Sequence, residues 1–118
     1  MHKFRDLAVY KKALLLTKMA REYSDEFPIS EKFGLTSQFR RAVDLIVLNI
    51  AEGAGNSTQR EFGRFLNYSI RSGFECLGCC DIALINSYGS ESLHDETIER
   101  LNEVIAMLYG LRKSLGRV

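Results

Sequence analysis

An all-α fold, an antiparallel up-down-up-down four-helix bundle, is predicted by three observations. Apolar residues recur at helical spacing over four long stretches of the 118 residues. No stretch alternates apolar and polar residues as a half-buried strand does. The breaks between stretches are only a few residues long, so consecutive helices must lie antiparallel as neighbours. One domain spans residues 1–118, because a chain of this size closes around one core.

The first helix covers about residues 6–26, with Val9, Ala13, Leu16, Ala20, Tyr23 and Phe27 on its inward stripe. Asp6 is the expected N-cap. Pro28 ends the segment, because the residue before a proline is pushed out of the α region. The second helix begins at residue 31 or 35 and ends at 54. Its core stripe is Leu35, Phe39, Ala42, Val43, Ile46 and Ile50, and Gly53, Gly55 and Asn56 mark its stop, since glycine accepts a left-handed C-cap.

The third helix, about 58–86, starts at Ser57 or Thr58, and Glu61 stands at capping-box spacing from Thr58. Phe62, Leu66, Ser69, Gly73, Leu77, Cys80 and Leu84 point inward. A mid-helix glycine costs about 1 kcal/mol against alanine, so Gly73 implies a close helix approach. Ser87–Ser92 form a turn. The fourth helix, about 92–115, carries Ile98, Leu101, Val104, Ile105, Leu108, Leu111 and Leu115 at near-heptad spacing. Its acidic first turns and its Arg112 and Lys113 near the end suit the helix dipole.

The formal net charge of +1 excludes a strong global attraction to nucleic acid or anionic membrane. Charge is nevertheless uneven. Lys3, Arg5, Lys11, Lys12, Lys18 and Arg21 face only Asp6 within residues 1–21, whereas Glu91, Asp95, Glu96, Glu99 and Glu103 face only Arg100 within 91–103. Such polarity can orient subunits or partners. The start has no apolar signal core, no apolar run approaches a membrane span, and three cysteines make no disulfide framework. A cytoplasmic protein is expected.

Chemistry-bearing patterns are sparse. Cys76, Cys79 and Cys80 fall inside a helix, without the second ligand pair that a zinc site needs, and the only histidines are His2 and His94. They read as small core residues, and a cysteine-based metal protein or enzyme is the weakest alternative. No nucleophile elbow or phosphate-binding Gly-x4-Gly-Lys occurs. The expectation is a non-enzymatic chain with no cofactor, metal or small-molecule substrate.

Two helix faces stand out. Arg60, Arg64, Asn67 and Arg71 fall on one line opposite the core of the third helix, and arginine forks suit phosphate oxygens. Lys11 and Lys18 lie on the outer side of the first helix. Aromatic platforms for stacking bases are not obvious, and a solvated face with an Arg71–Glu75 pair is the plain alternative. On the second helix, Gln38, Arg41, Leu45, Asn49 and Glu52 share a sector with Leu48 at its margin. Two leucines among hydrogen-bonding side chains resemble an interface core with its polar rim.

Several motifs are familiar together: Phe4-Arg-Asp-Leu7 with Tyr10, Phe27-Pro28, Leu35-Thr-Ser-Gln38 with Arg40-Arg41, Asn49-Ile-Ala-Glu-Gly53, Glu61-Phe62, Phe65-Leu66, and Ser72 with Glu75. On these the chain resembles the bacterial four-helix-bundle proteins often encoded in intervening sequences of 23S ribosomal RNA genes. The resemblance implies a homopentameric ring without catalytic activity. It also implies a fold similar to the accessory protein of diversity-generating retroelements, a pentamer that binds a reverse transcriptase and nucleic acid. Leu45-Ile46-Val47-Leu48 stands where that family tends to have Ser-Ile-Pro-Ser, and Arg71 where it commonly has glycine. Without the proline the second helix should run unkinked, and with leucines its second face should favour association.

These readings combine into a homo-oligomeric binding or scaffold protein with no membrane role. Gln38, Arg41, Leu45, Leu48, Asn49, Glu52 and Glu75 are the candidate subunit contacts. Arg60, Arg64, Asn67 and Arg71 are the candidate nucleic-acid contacts, toward RNA or a nucleic-acid enzyme. A protein adaptor with no nucleic-acid role is the alternative.

Overall fold

In the computed structural model, which describes residues 3–55 and 58–116, four helices run in order: α1 (Ala8–Ser24), α2 (Leu35–Ala54), α3 (Gln59–Ile85) and α4 (Glu91–Ser114). His2, Asn56 and Ser57 lie outside the described residues. No strand occurs among the described residues. Helix α2 packs on α1 and α3, and α4 packs on α3 and α1. The helices therefore form a square in which α1 lies diagonally across from α3. At about 1.5 Å per residue the 27 residues of α3 reach about 40 Å. That is nearly the full 43 Å length of the molecule, so α3 is its long edge.

The inward stripes of α1 and α2 are as the spacing predicts, and Tyr23, Phe39, Ile46 and Ile50 are completely enclosed. In α3 the stripe is buried from Phe62 to Cys80 except for half-buried Leu77, and Leu84 is exposed. At that last turn Ala83 takes the inward position, because a helix period of 3.6 does not keep one line inward over seven turns.

Helix starts depart from expectation where a short 3-10 turn precedes the helix. Asp6 does not cap α1. It belongs to a 3-10 turn, Phe4–Asp6, and extended Leu7 precedes the helix with no side-chain cap. At α2 the carboxylate of Glu31 accepts the N–H of Leu35 at 3.0 Å, serving as a cap from the preceding 3-10 turn, Ile29–Glu31. Thr58 does cap α3, accepting the N–H of Glu61 at 3.1 Å, and Ser90 caps α4 by accepting that of Leu93.

The stop of α2 also differs. Gly55 is right-handed, with φ −77°, so no left-handed cap forms. Gly53 is needed for space instead: a Cβ there would stand 2.5 Å from Cβ of Phe65. The glycine lets α3 close onto α2. Gly73 does the same toward α4, where a Cβ would meet Cγ1 of Ile105 at 2.7 Å. The hydroxyl of Ser69 donates to the carbonyl of Ile46 at 2.9 Å inside the core. Helix α2 runs uninterrupted through Val47.

At the end where α1 turns into α2 and α3 into α4, side chains tie the loops together. Tyr88 donates its hydroxyl to Glu31, and Glu26 accepts the N–H of Ser90 at 2.6 Å. Arg40 reaches back to α1, donating to Ser24 at 2.8 Å and pairing with Asp25 at 2.6 Å. Arg40 thus holds two helices together, while Arg41, 100° further round the helix, faces outward. The basic first helix and the acidic fourth meet within the chain, through Lys12 and Glu103 at 3.2 Å. That exposed pair contributes less than about 1 kcal/mol.

Candidate functional site

The line on α3 exists as an outward ridge. Arg60, Arg64 and Arg71 are exposed and Asn67 is half-buried. From Arg60 to Arg71 the ridge covers about 16 Å. Its members are not equivalent. Arg64 pairs with Glu61 at 3.2 Å, and its guanidinium lies over the rings of Phe65 and Tyr68, at 5.7 and 5.8 Å from their centroids. Arg71 forms no ion pair with Glu75 among the described residues, contrary to the local pairing weighed from sequence. Asn67 accepts a hydrogen bond from Arg112 of α4. That guanidinium stands 4.8 Å over the ring of Tyr109.

Topology decides which other cations can join. Lys11 and Lys18 are exposed on α1, diagonally across the bundle, and cannot reach a strand lying on α3. Arg112 can, because it already donates to Asn67 of α3. Sequence alone could not separate these two sets of cations, since helix pairing decides which are neighbours.

The second face of α2 is a separate surface. Gln38, Arg41 and Glu52 are exposed, Leu45 and Asn49 half-buried, and Leu48 is 57% exposed. Asn49 donates to the carbonyl of Leu45 at 2.8 Å, so one of its amide hydrogens is used on its own helix. Gly53 meeting Phe65 and Ser69 meeting Ile46 set the α2–α3 register, which brings exposed Glu75 opposite Arg41. Among the described residues the two form no ion pair with each other.

The three cysteines are buried and free. Burial pushes the Cys79 thiol up to about 11 and the Cys80 thiol up to about 12, and raises that of Cys76 further. Among the described residues no three His, Cys, Asp or Glu side chains gather to hold a metal ion. His94 is buried, with Nδ1 2.9 Å from Asp95; its Nε2 and the hydroxyl of Tyr23 are unpartnered among the described residues, and the two ring centroids stand 6.3 Å apart. A thiol held protonated and out of solvent is a poor nucleophile. In native protein Cys76 and Cys80 should therefore resist a thiol-disulfide reagent at neutral pH and react fully once denatured. Rapid modification of the native protein would show the core open to solvent. No helix among the described residues is long and apolar enough to cross a membrane.

No curated protein matches the chain. Among solved structures it is similar to a protein of unknown function from the S23 ribosomal protein family of Bacteroides thetaiotaomicron. The TM-score is 0.81 at 18% identity, covering 89% of this chain and 95% of that one. That likeness carries the helical fold. Residues 5–110 match the model of the 23S rRNA-intervening sequence proteins. With nearly its whole length inside that match, the chain belongs to the 23S rRNA-intervening sequence protein family.

Proposed function

We propose that the protein is a non-enzymatic, cytoplasmic scaffold that assembles with copies of itself through the second face of α2, and offers the arginine ridge of α3 to RNA. The ring of five is carried over from the family resemblance, and so is a nucleic-acid enzyme as companion on the RNA. One observation carries the nucleic-acid part: three exposed arginines on one side of one helix, with Arg112 supplied by its neighbour. Guanidinium forks spread along about 16 Å can contact several phosphates of one strand. The ridge changes character beyond Arg71, where Ile82 and Ile85 are exposed. That far half favours a protein partner, so an adaptor role is the second reading.

The test is fluorescence anisotropy with labelled RNA at low ionic strength, alongside light scattering for the mass. RNA binding that falls steeply with salt supports the proposal. A protein that binds no RNA at low salt leaves the adaptor reading in its place.

A further inference from the structure

The groove between α3 and α4 combines arginines with exposed aromatic rings. Phe74 is 53% exposed and Tyr109 41% exposed, which is unusual for large aromatic side chains with a core available. Phe74 follows Asn67 by seven residues, so it lies within about 20° of the same edge of α3. That edge faces α4, because Asn67 accepts from Arg112. Arg112 in turn stacks on Tyr109. One wall of the groove therefore carries Phe74, with Arg71 about 60° further round on the adjoining outer ridge, and the other wall carries Tyr109 and Arg112.

The axial spacing follows from two contacts. Gly73 meets Ile105, and Asn67 meets Arg112. Phe74 lies one residue to one side of the first contact and Tyr109 four residues to the other. At about 1.5 Å per residue the two rings stand about 7 Å apart along the axis. That is close to one nucleotide step of an extended single strand. Paired bases could not use these rings, since their faces are already stacked inside the duplex.

We infer that the α3–α4 groove takes single-stranded nucleic acid, with unpaired bases stacked on Phe74 and Tyr109 and the backbone on Arg60, Arg64 and Arg71. This rests on the proposed RNA-binding function and specifies its ligand. Arginine provides the salt-dependent part of binding, and the rings provide selectivity for unpaired bases, which any base satisfies because every base has a π-face.

The experiment is anisotropy at one low salt concentration with three probes of equal length: oligouridylate, oligothymidylate and an RNA duplex. Wild-type protein should bind both single strands at least about tenfold tighter than the duplex. Equal binding of the two single strands assigns the site to bases and phosphates, and a preference for oligouridylate adds the ribose hydroxyl. Phe74→Ala and Tyr109→Ala should each cost about tenfold on single strands and leave duplex binding unchanged. Both rings are half in solvent, so the variants retain the core, which circular dichroism checks. Tyr109→Phe keeps a stacking ring and should keep the affinity. The chain has no tryptophan, so quenching of tyrosine emission by oligouridylate is readable, and that quenching should shrink in Tyr109→Phe. Equal affinity for duplex and single strand, unmoved by either alanine, overturns this inference while the RNA-binding function stands. Failure of the wild type to bind any probe overturns both.

Discussion

Under the proposed self-assembly through α2, Leu45→Asp with Leu48→Asp should give a 13.4 kDa monomer that keeps its helices. Leu48 is 57% exposed and Leu45 half-buried in the isolated chain, and neither belongs to the enclosed core. The pair therefore contributes little to the fold of one subunit. Against a second copy, each leucine fully covered would contribute about 1.5–3 kcal/mol. Aspartate there would leave a carboxylate desolvated without a partner, which costs several kcal/mol more. Glu52 close by adds like charge. Light scattering and circular dichroism read the two halves of this prediction. A double variant that keeps the wild-type mass would move the interface elsewhere, and a wild type already at 13.4 kDa would remove it.

Gly53→Val should destabilise the fold by about 3 kcal/mol, at the upper end of what overpacking a core costs. In a domain of this size that lowers the melting temperature by about 10–15 °C. The reason is spatial, since φ at this helical position is ordinary. A Cβ at residue 53 would stand 2.5 Å from Cβ of Phe65 and 3.1 Å from Cδ1 of Phe62. The first of these is the root of a side chain and cannot swing aside, so α2 and α3 must separate. Gly55→Ala is the contrast: its nearest neighbours are backbone oxygens at 3.5 and 3.6 Å, and its φ is negative. It should be tolerated within about 0.5 kcal/mol. Thermal melts of the two variants would reverse this account if Gly55→Ala were the more damaging.

The helices and most of their buried stripes were legible because periodicity depends only on residue spacing. Tyr23, Phe39 and Leu66 are inside, as their spacing requires. Local chemistry also gave the Thr58 cap. What failed had two causes. Short 3-10 turns before α1 and α2 change the local caps, with Asp6 drawn into one and Glu31 capping α2 from the other. Gly53 answers to α3, a partner on another helix, more than to the end of its own helix. The arginine ridge was legible as a line, but its neighbours were not. Lys11 and Lys18 fall on the diagonal helix, whereas Tyr109 and Phe74, which pattern reading passed over as platforms, come together only when α4 packs beside α3.

The most direct measurement is the slope of log affinity for single-stranded RNA against log salt concentration, in wild type and in the triple variant Arg60→Ala, Arg64→Ala, Arg71→Ala. Each phosphate contact on a single strand contributes about 0.7 to that slope. Losing three contacts should make it shallower by about 2, with weaker binding at every salt concentration. The same slope and affinity in both proteins would contradict the arginine ridge as the RNA-binding face.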